Sequence, residues 1–259
     1  MAELPDLSAA RSAPPEDLAK LIYDVREPFL LALLDNPRLD ESHLILLLDR
    51  ADLPAAVLEA VARRRKWQKH YDVRRRIVFH RHTPRLTAFR LARELYLMDL
   101  VQLSLLPAVQ SELRRLAEEL ILSRLPQIPL GQKMALARRA SGRVASGLIA
   151  EGHARVARTA LDNPFLNEAQ ILRPLSNPKL PAEILAGVAR HRKWSTLPNV
   201  RLAVMRHPLA TPGLVLGFVR DISSRDLDDL AQLSSLSPAI IRVLRAELAR
   251  RAEKTASAS

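Results

Sequence analysis

The chain contains no cysteine. That single absence excludes disulfides, thiolate zinc sites, iron–sulfur clusters and a cysteine nucleophile. Aromatic residues make up only 4% of the sequence and glycine occurs seven times. A composition poor in aromatics and rich in Leu, Ala and Arg disfavours strands and favours helices. No long hydrophobic run is present. The densest, Leu44 to Leu48, falls far short of the ~20 apolar residues that a membrane helix needs. Residues 1–15 lack both the basic and the apolar region of a signal peptide. The simplest expectation is a cytoplasmic protein without a membrane span.

What is present is positive charge. Forty Lys and Arg stand against 28 Asp and Glu, a formal net charge of +12. Such an excess points to an anionic partner and says nothing about the fold. Apolar residues reach 48% of the 259, enough to bury a sizeable core.

The sequence repeats itself. Shifted by 127 residues, Leu34-Asp35-Asn36-Pro37 falls on Leu161-Asp162-Asn163-Pro164, and Leu53-Pro54-Ala55 on Leu180-Pro181-Ala182. Arg65-Lys66-Trp67 falls on Arg192-Lys193-Trp194, Val73-Arg74 on Val200-Arg201, and His80 on His207. Twenty of the 47 positions from Leu34 to His80 match without a gap, several times what chance would give. The register extends to Arg115 and Arg242. The chain is internally duplicated.

Within each copy, apolar residues recur at helical spacing, as in Leu58, Val61 and Ala62 or Leu113, Leu116 and Leu120. Asp40 and Asn167 read as N-caps. Leu39 with Leu44, and Leu166 with Ile171, stand at the positions of a hydrophobic staple. Thr83-Pro84, Thr211-Pro212 and Ser237-Pro238 each read as a capping hydroxyl followed by proline at the first helical position. The two Thr-Pro pairs lie one residue out of the 127 register, which predicts a loop of different length. No segment alternates with period two, so the expected class is all-α. Expected divisions are a disordered N-terminus over 1–15, a first repeat unit over 16–124, a bridging helix over 125–154, a second repeat unit over 155–252 and a disordered tail over 253–259.

A phrase recurs: Val200-Arg201 leads to His207-Pro208, Val156 and Arg158 lead to Asn163-Pro164, and Val73-Arg74 leads to His80 without the proline. On these residues the chain resembles the leucine-rich repeat variant family and, more broadly, HEAT-type repeats, over roughly residues 20 to 250. The resemblance implies a right-handed α-solenoid of short HEAT-like helical repeats with a concave binding surface. Some relatives of the variant repeat carry an iron–sulfur cluster on N-terminal cysteines; without cysteine, that feature does not carry over.

The charge is concentrated. From Arg63 to His82 there are nine cations, Arg63, Arg64, Arg65, Lys66, Lys69, Arg74, Arg75, Arg76 and Arg81, and one acid, Asp72. The matching window holds Arg190, Arg192, Lys193, Arg201 and Arg206 with no acid. Together these windows carry +13, so the rest of the chain nets −1. Equivalent places in a repeat tend to share a face, so the two windows are expected to form one basic stripe. Each also holds one of the two tryptophans, Trp67 and Trp194. Exposed, these rings would stack on bases; buried, they would anchor a helix–helix corner.

Catalytic signatures are missing. There is no Gly-rich phosphate loop, no His-Glu-x-x-His and no Gly-x-Ser-x-Gly. His80 and His82, two residues apart, point to different faces of a helix. Asp35 and Asp162, each before Asn-Pro, read as turn residues. HEAT-like alkylpurine DNA glycosylases use a comparable scaffold as an enzyme, through an acid and an aromatic pocket that cannot be placed here residue by residue. The expectation is a binding protein that is not an enzyme, with no cofactor, no metal and no evident small-molecule substrate. Two partners fit: an acidic protein surface, or DNA or RNA held in a sequence-tolerant way with little base readout, with Arg63 to Lys69 and Arg74 to Arg76 on phosphates.

Overall fold

The computed structural model describes residues 7–257, and among these it is helical with no strand. The chain divides into two compact units between Ile121 and Leu122. Unit 1 contains α1 (Leu7–Ser12), α2 (Pro15–Leu21), α3 (Glu27–Leu33), α4 (Glu41–Leu48), α5 (Ala55–Arg63), the one-turn α6 (Arg65–Gln68), α7 (Tyr71–Phe79), α8 (Arg85–Ala92) and α9 (Leu97–Leu105). The boundary falls inside α10 (Ser111–Arg124). Unit 2 contains α11 (Leu130–Arg139), α12 (Gly142–Ala150), α13 (Ala154–Leu161), α14 (Glu168–Leu175), α15 (Ala182–Arg190), α16 (Pro198–Arg206), α17 (Pro212–Phe218), α18 (Ser224–Ala231) and α19 (Pro238–Ser257).

The duplication runs further than the matched motifs. Adding 127 to the first residues of α2, α3, α4, α5, α7, α8, α9 and α10 gives the first residues of α12 through α19. In both units helices pack against the next helix but one or but two along the chain. In unit 1, α3 lies between α1 and α5, and α4 packs on α2 and α7. In unit 2, α13 lies between α11 and α15, and α14 between α12 and α16. The short helices bury their apolar faces only in this way, since seven to nine residues are too few to be stable alone.

Several local expectations hold. Asp40 accepts a hydrogen bond from the His43 amide at 3.0 Å. Asn167 makes a full capping box with Gln170. Both staple pairs, Leu39 with Leu44 and Leu166 with Ile171, are buried.

Others are corrected. The Thr-Pro pairs do not mark a loop of different length, because α8 and α17 begin in register. They are used differently: the Thr211 hydroxyl caps α17, whereas Thr83 is buried and donates to the Ile77 carbonyl at 2.5 Å, with Pro84 as the residue before the helix. Residues 125–154 are not a separate bridge. They follow α10 with a 3-10 turn, Leu125–Gln127, and then form α11 and α12, counterparts of α1 and α2 within unit 2. Within α12, Gly142 and Gly147 stand where other atoms approach closely. A Cβ on Gly142 would come within 2.0 Å of Gln170 Oε1, and one on Gly147 within 2.3 Å of Leu122 Cδ2.

The expected disorder at the ends also changes. Residues 7–12 are helical, and Ala10 is buried against α3. The reason is Asn36, a buried side chain whose Nδ2 donates to the carbonyls of Ala10 and Ala13 at 3.0 and 3.1 Å. Asn163 does the same to Ala137 and Ala140 at 2.9 and 3.0 Å. The tail beyond residue 252 continues α19 as far as Ser257. Residues 1–6 and 258–259 lie outside the described part of the chain.

Candidate binding surface

The corner between α5 and α7 carries the first basic cluster. The chain leaves α5 through Arg64 in an extended conformation, makes the single turn of α6, and enters α7 after His70, again extended. Trp67 fills the inside of this corner and is 2% exposed. In unit 2 a 3-10 turn, Trp194–Thr196, replaces α6, and Trp194 is fully buried. Neither ring offers a face to a nucleotide base. The stacking role considered for Trp67 and Trp194 is therefore removed: these residues anchor the corner.

Many of the clustered cations are internal struts. Lys66 Nζ lies 4.2 Å from the centre of the Trp67 ring and donates to the Leu39 carbonyl at 3.0 Å. Lys193 repeats this, 4.1 Å over Trp194 and 3.1 Å from the Leu166 carbonyl. Arg64 pairs with Asp35 at 2.6 Å, and His191, its counterpart, with Asp162 at 3.0 Å. Arg74 donates to the Gln68 carbonyl and pairs with Glu94 at 3.3 Å; Arg201 donates to the Ser195 carbonyl and pairs with Asp221 at 3.1 Å. Arg75 pairs with Asp99 at 2.7 Å and Arg76 with Asp49 at 2.8 Å. Asp99 also accepts from the Tyr71 hydroxyl. Burial and this bond push the Tyr71 phenol up to about 12.

The expected stripe is split within unit 1. Arg64 and Lys66 sit beside Asp35 and Leu39, near the start of α4. Arg81 donates to the Ala51 carbonyl, just past the other end of α4. With a rise of about 1.5 Å per residue, the eight-residue α4 separates these places by about 12 Å.

A smaller set remains. Among the described residues, Arg65, Lys69, Arg190, Arg192 and Arg206 are exposed and have neither a hydrogen-bond partner nor an ion-pair partner through their side chains. Arg63 is exposed and holds only the half-buried Glu59 one turn back on the same helix. Arg63 corresponds to Arg190, and Arg65 to Arg192. The duplication thus keeps two kinds of cation: Lys66, Arg74 and their counterparts brace the fold, while Arg63, Arg65 and theirs stand exposed at the corner that follows α5 or α15.

Cavities follow the repeat as well. One of about 440 Å³ lies against α4 and α7, lined by Asp49, Arg75, Arg76, Phe79, His80 and Arg81. One of about 480 Å³ occupies the same place in unit 2, where Ser176, Leu202, Ala203, Arg206, His207 and Pro208 stand at those six positions. The place is shared, but the lining is basic in unit 1 and largely apolar in unit 2. His80 and His207 each contact a carbonyl, of Arg50 and Asn177, through Nε2, and burial holds His80 below its usual pKa.

Further cavities in unit 2 that sequence reading missed include one of about 400 Å³ between α13 and α15 and one of about 860 Å³ between α15 and α17. Their signal lies in mismatches between the copies. Gly213 and Gly217 replace Leu86 and Arg90, and Gly187 replaces Ala60.

Among the described residues no cluster of three His, Asp or Glu side chains is placed to hold a metal ion, and no helix is long and apolar enough to cross a membrane. No family model, no curated protein and no solved structure matches the chain.

Proposed function

We propose that the protein is a non-enzymatic binding scaffold, a cytoplasmic α-solenoid of HEAT-like repeats that engages an acidic protein partner through projecting arginines. One observation carries this reading. Arg63 and Arg65 recur as Arg190 and Arg192, exposed and without the bracing role of their neighbours. Arginine suits bidentate recognition of carboxylates, because its guanidinium presents paired N–H groups in one plane. A two-layer helical repeat supplies an extended surface on which to display them.

Sequence-tolerant binding of DNA or RNA is the second reading. It is supported by the cavity where Arg75, Arg76 and Arg81 converge, and it lacks stacking by Trp67 and Trp194, which are buried. Fluorescence anisotropy at several salt concentrations separates the two. The probes are labelled poly-glutamate, single-stranded RNA and duplex DNA, and the test variant carries Arg63→Glu, Arg65→Glu, Arg190→Glu and Arg192→Glu. The expected result is salt-sensitive binding of poly-glutamate, weakened at least about tenfold in the variant. Preference for RNA or DNA, with a steep salt slope, would replace the acidic-protein reading by the nucleic-acid one.

A further inference from the structure

Three glycines in unit 2 sit inside helices without a packing reason. Gly187 is in α15; Gly213 and Gly217 are in α17. Glycine weakens a helix interior because its backbone loses more freedom on folding than that of any other residue. Gly142 and Gly147 are accounted for, since a Cβ there would collide with neighbouring atoms. At Gly187 and Gly213 an added Cβ would meet nothing closer than 4.0 Å, and at Gly217 nothing within 4 Å. None of the three has a positive φ. The fold does not require these glycines, yet all three line the two cavities beside α15.

The cavities adjoin, meeting at Glu183, Ala186 and Arg190 on α15. Together they make a groove that runs from α13 across α15 to α17. Its floor is small and apolar, with Ala157, Ala186 and the glycines, and Leu209 stands exposed beside it. Its charges are unequal. Arg201 and Asp221 are paired with each other. Arg158 and Arg190 are exposed without a counter-ion, as is Arg192 at the adjacent corner, against a single unpaired acid, Glu183. In unit 1, Leu86 and Arg90 stand in place of Gly213 and Gly217: Leu86 is exposed, and Arg90 folds back to donate to the Ala62 carbonyl at 3.1 Å.

We infer that this groove is the docking site for an acidic peptide segment of the partner, with aliphatic side chains entering over the glycines and carboxylates meeting Arg158, Arg190 and Arg192. The inference rests on the acidic-partner reading and deepens it, by making unit 2, where glycines replace the Leu86 and Arg90 of unit 1, the peptide-binding copy.

The test is selection of the full chain against a displayed library of random peptides, followed by anisotropy on the synthesised winners. The key variant, Gly213→Leu with Gly217→Arg, restores the residues of unit 1 and fills the groove. A second variant, Arg190→Glu, reverses a charge without filling it. The expected winners combine Asp or Glu with Leu, Ile or Val. They bind about tenfold or more weakly to both variants, while the groove-filling variant melts no lower than the parent. Acidic winners that bind the groove-filled protein undiminished, and are lost only with Arg63→Glu and Arg65→Glu, would overturn the groove and leave the acidic-partner reading standing. Winners with no acidic bias would overturn both.

Discussion

At the residue scale, the same few positions do the same work in both copies. Asn36 and Asn163, Lys66 and Lys193, Arg74 and Arg201, His80 and His207 each reach a carbonyl. Buried carbonyls near helix ends have no intrahelical partner and need such donors. The tryptophans break the symmetry in one detail. Trp194 Nε1 donates to the Leu161 carbonyl at 2.8 Å, whereas Trp67 Nε1 is buried without a partner. An unmade bond leaves a desolvated donor, and a made one stabilises by roughly 1 kcal/mol. Replacement by Phe deletes similar ring area at both sites. Trp194→Phe should therefore destabilise by about 1–2 kcal/mol more than Trp67→Phe, as urea denaturation followed by circular dichroism would show. Equal losses would mean that the indole N–H makes no net contribution at either corner.

At the element scale, glycines with opposite surroundings predict opposite outcomes. Gly147→Ala introduces a Cβ within 2.3 Å of Leu122 Cδ2 and should destabilise by about 1–3 kcal/mol. Gly217→Ala meets nothing and should stabilise by roughly 1 kcal/mol through helix propensity. Differential scanning calorimetry reads both signs. The end of α19 adds a pH-dependent element. Glu247 pairs with Arg250 at 2.6 Å and Arg251 at 2.9 Å, and Arg251 donates to the carbonyls of Ile222 and Val219 at 2.8 and 2.9 Å, which ties α19 to the segment before α18. The Arg250 hydrogen bond, followed by that of Arg251, holds the Glu247 carboxyl down at about 2. A carboxyl depressed in the folded state stabilises it above the ordinary value, and that contribution disappears as pH falls toward the folded value. Amide exchange at the end of α19 should therefore show falling protection between about pH 4.5 and 2. Glu247→Gln should flatten that dependence.

At the scale of the whole molecule, two units with helices in one register carry different surfaces. Identity between the copies concentrates where helices must be joined: the Asp-Asn-Pro turn, the Lys-Trp corner, the Val-Arg pair and the final histidine. Differences concentrate where the surface is open, in the paired cavities at α4–α7 and α14–α16 and in the groove over α15. Divergence collects at open positions because bracing contacts are sensitive to a change of one atom while exposed positions are not.

The amino-acid sequence by itself determined the helical class, the duplication, the caps at Asp40 and Asn167 and the location of the basic windows. These follow from local spacing, propensity and identity, which need no knowledge of distant contacts. Only the tertiary structure decided which basic residues are available to a partner. Lys66, Arg64 and Arg74 look identical in sequence to Arg65 and Arg63, and differ because carbonyls and acids twenty or more residues away satisfy the first group and not the second. It likewise buried the tryptophans and placed residues 7–12 as a helix, through Asn36. The difference between a required glycine at 142 or 147 and an unconstrained one at 187, 213 or 217 was also tertiary, since it depends on atoms from other helices that close over the first pair and leave the groove open above the others.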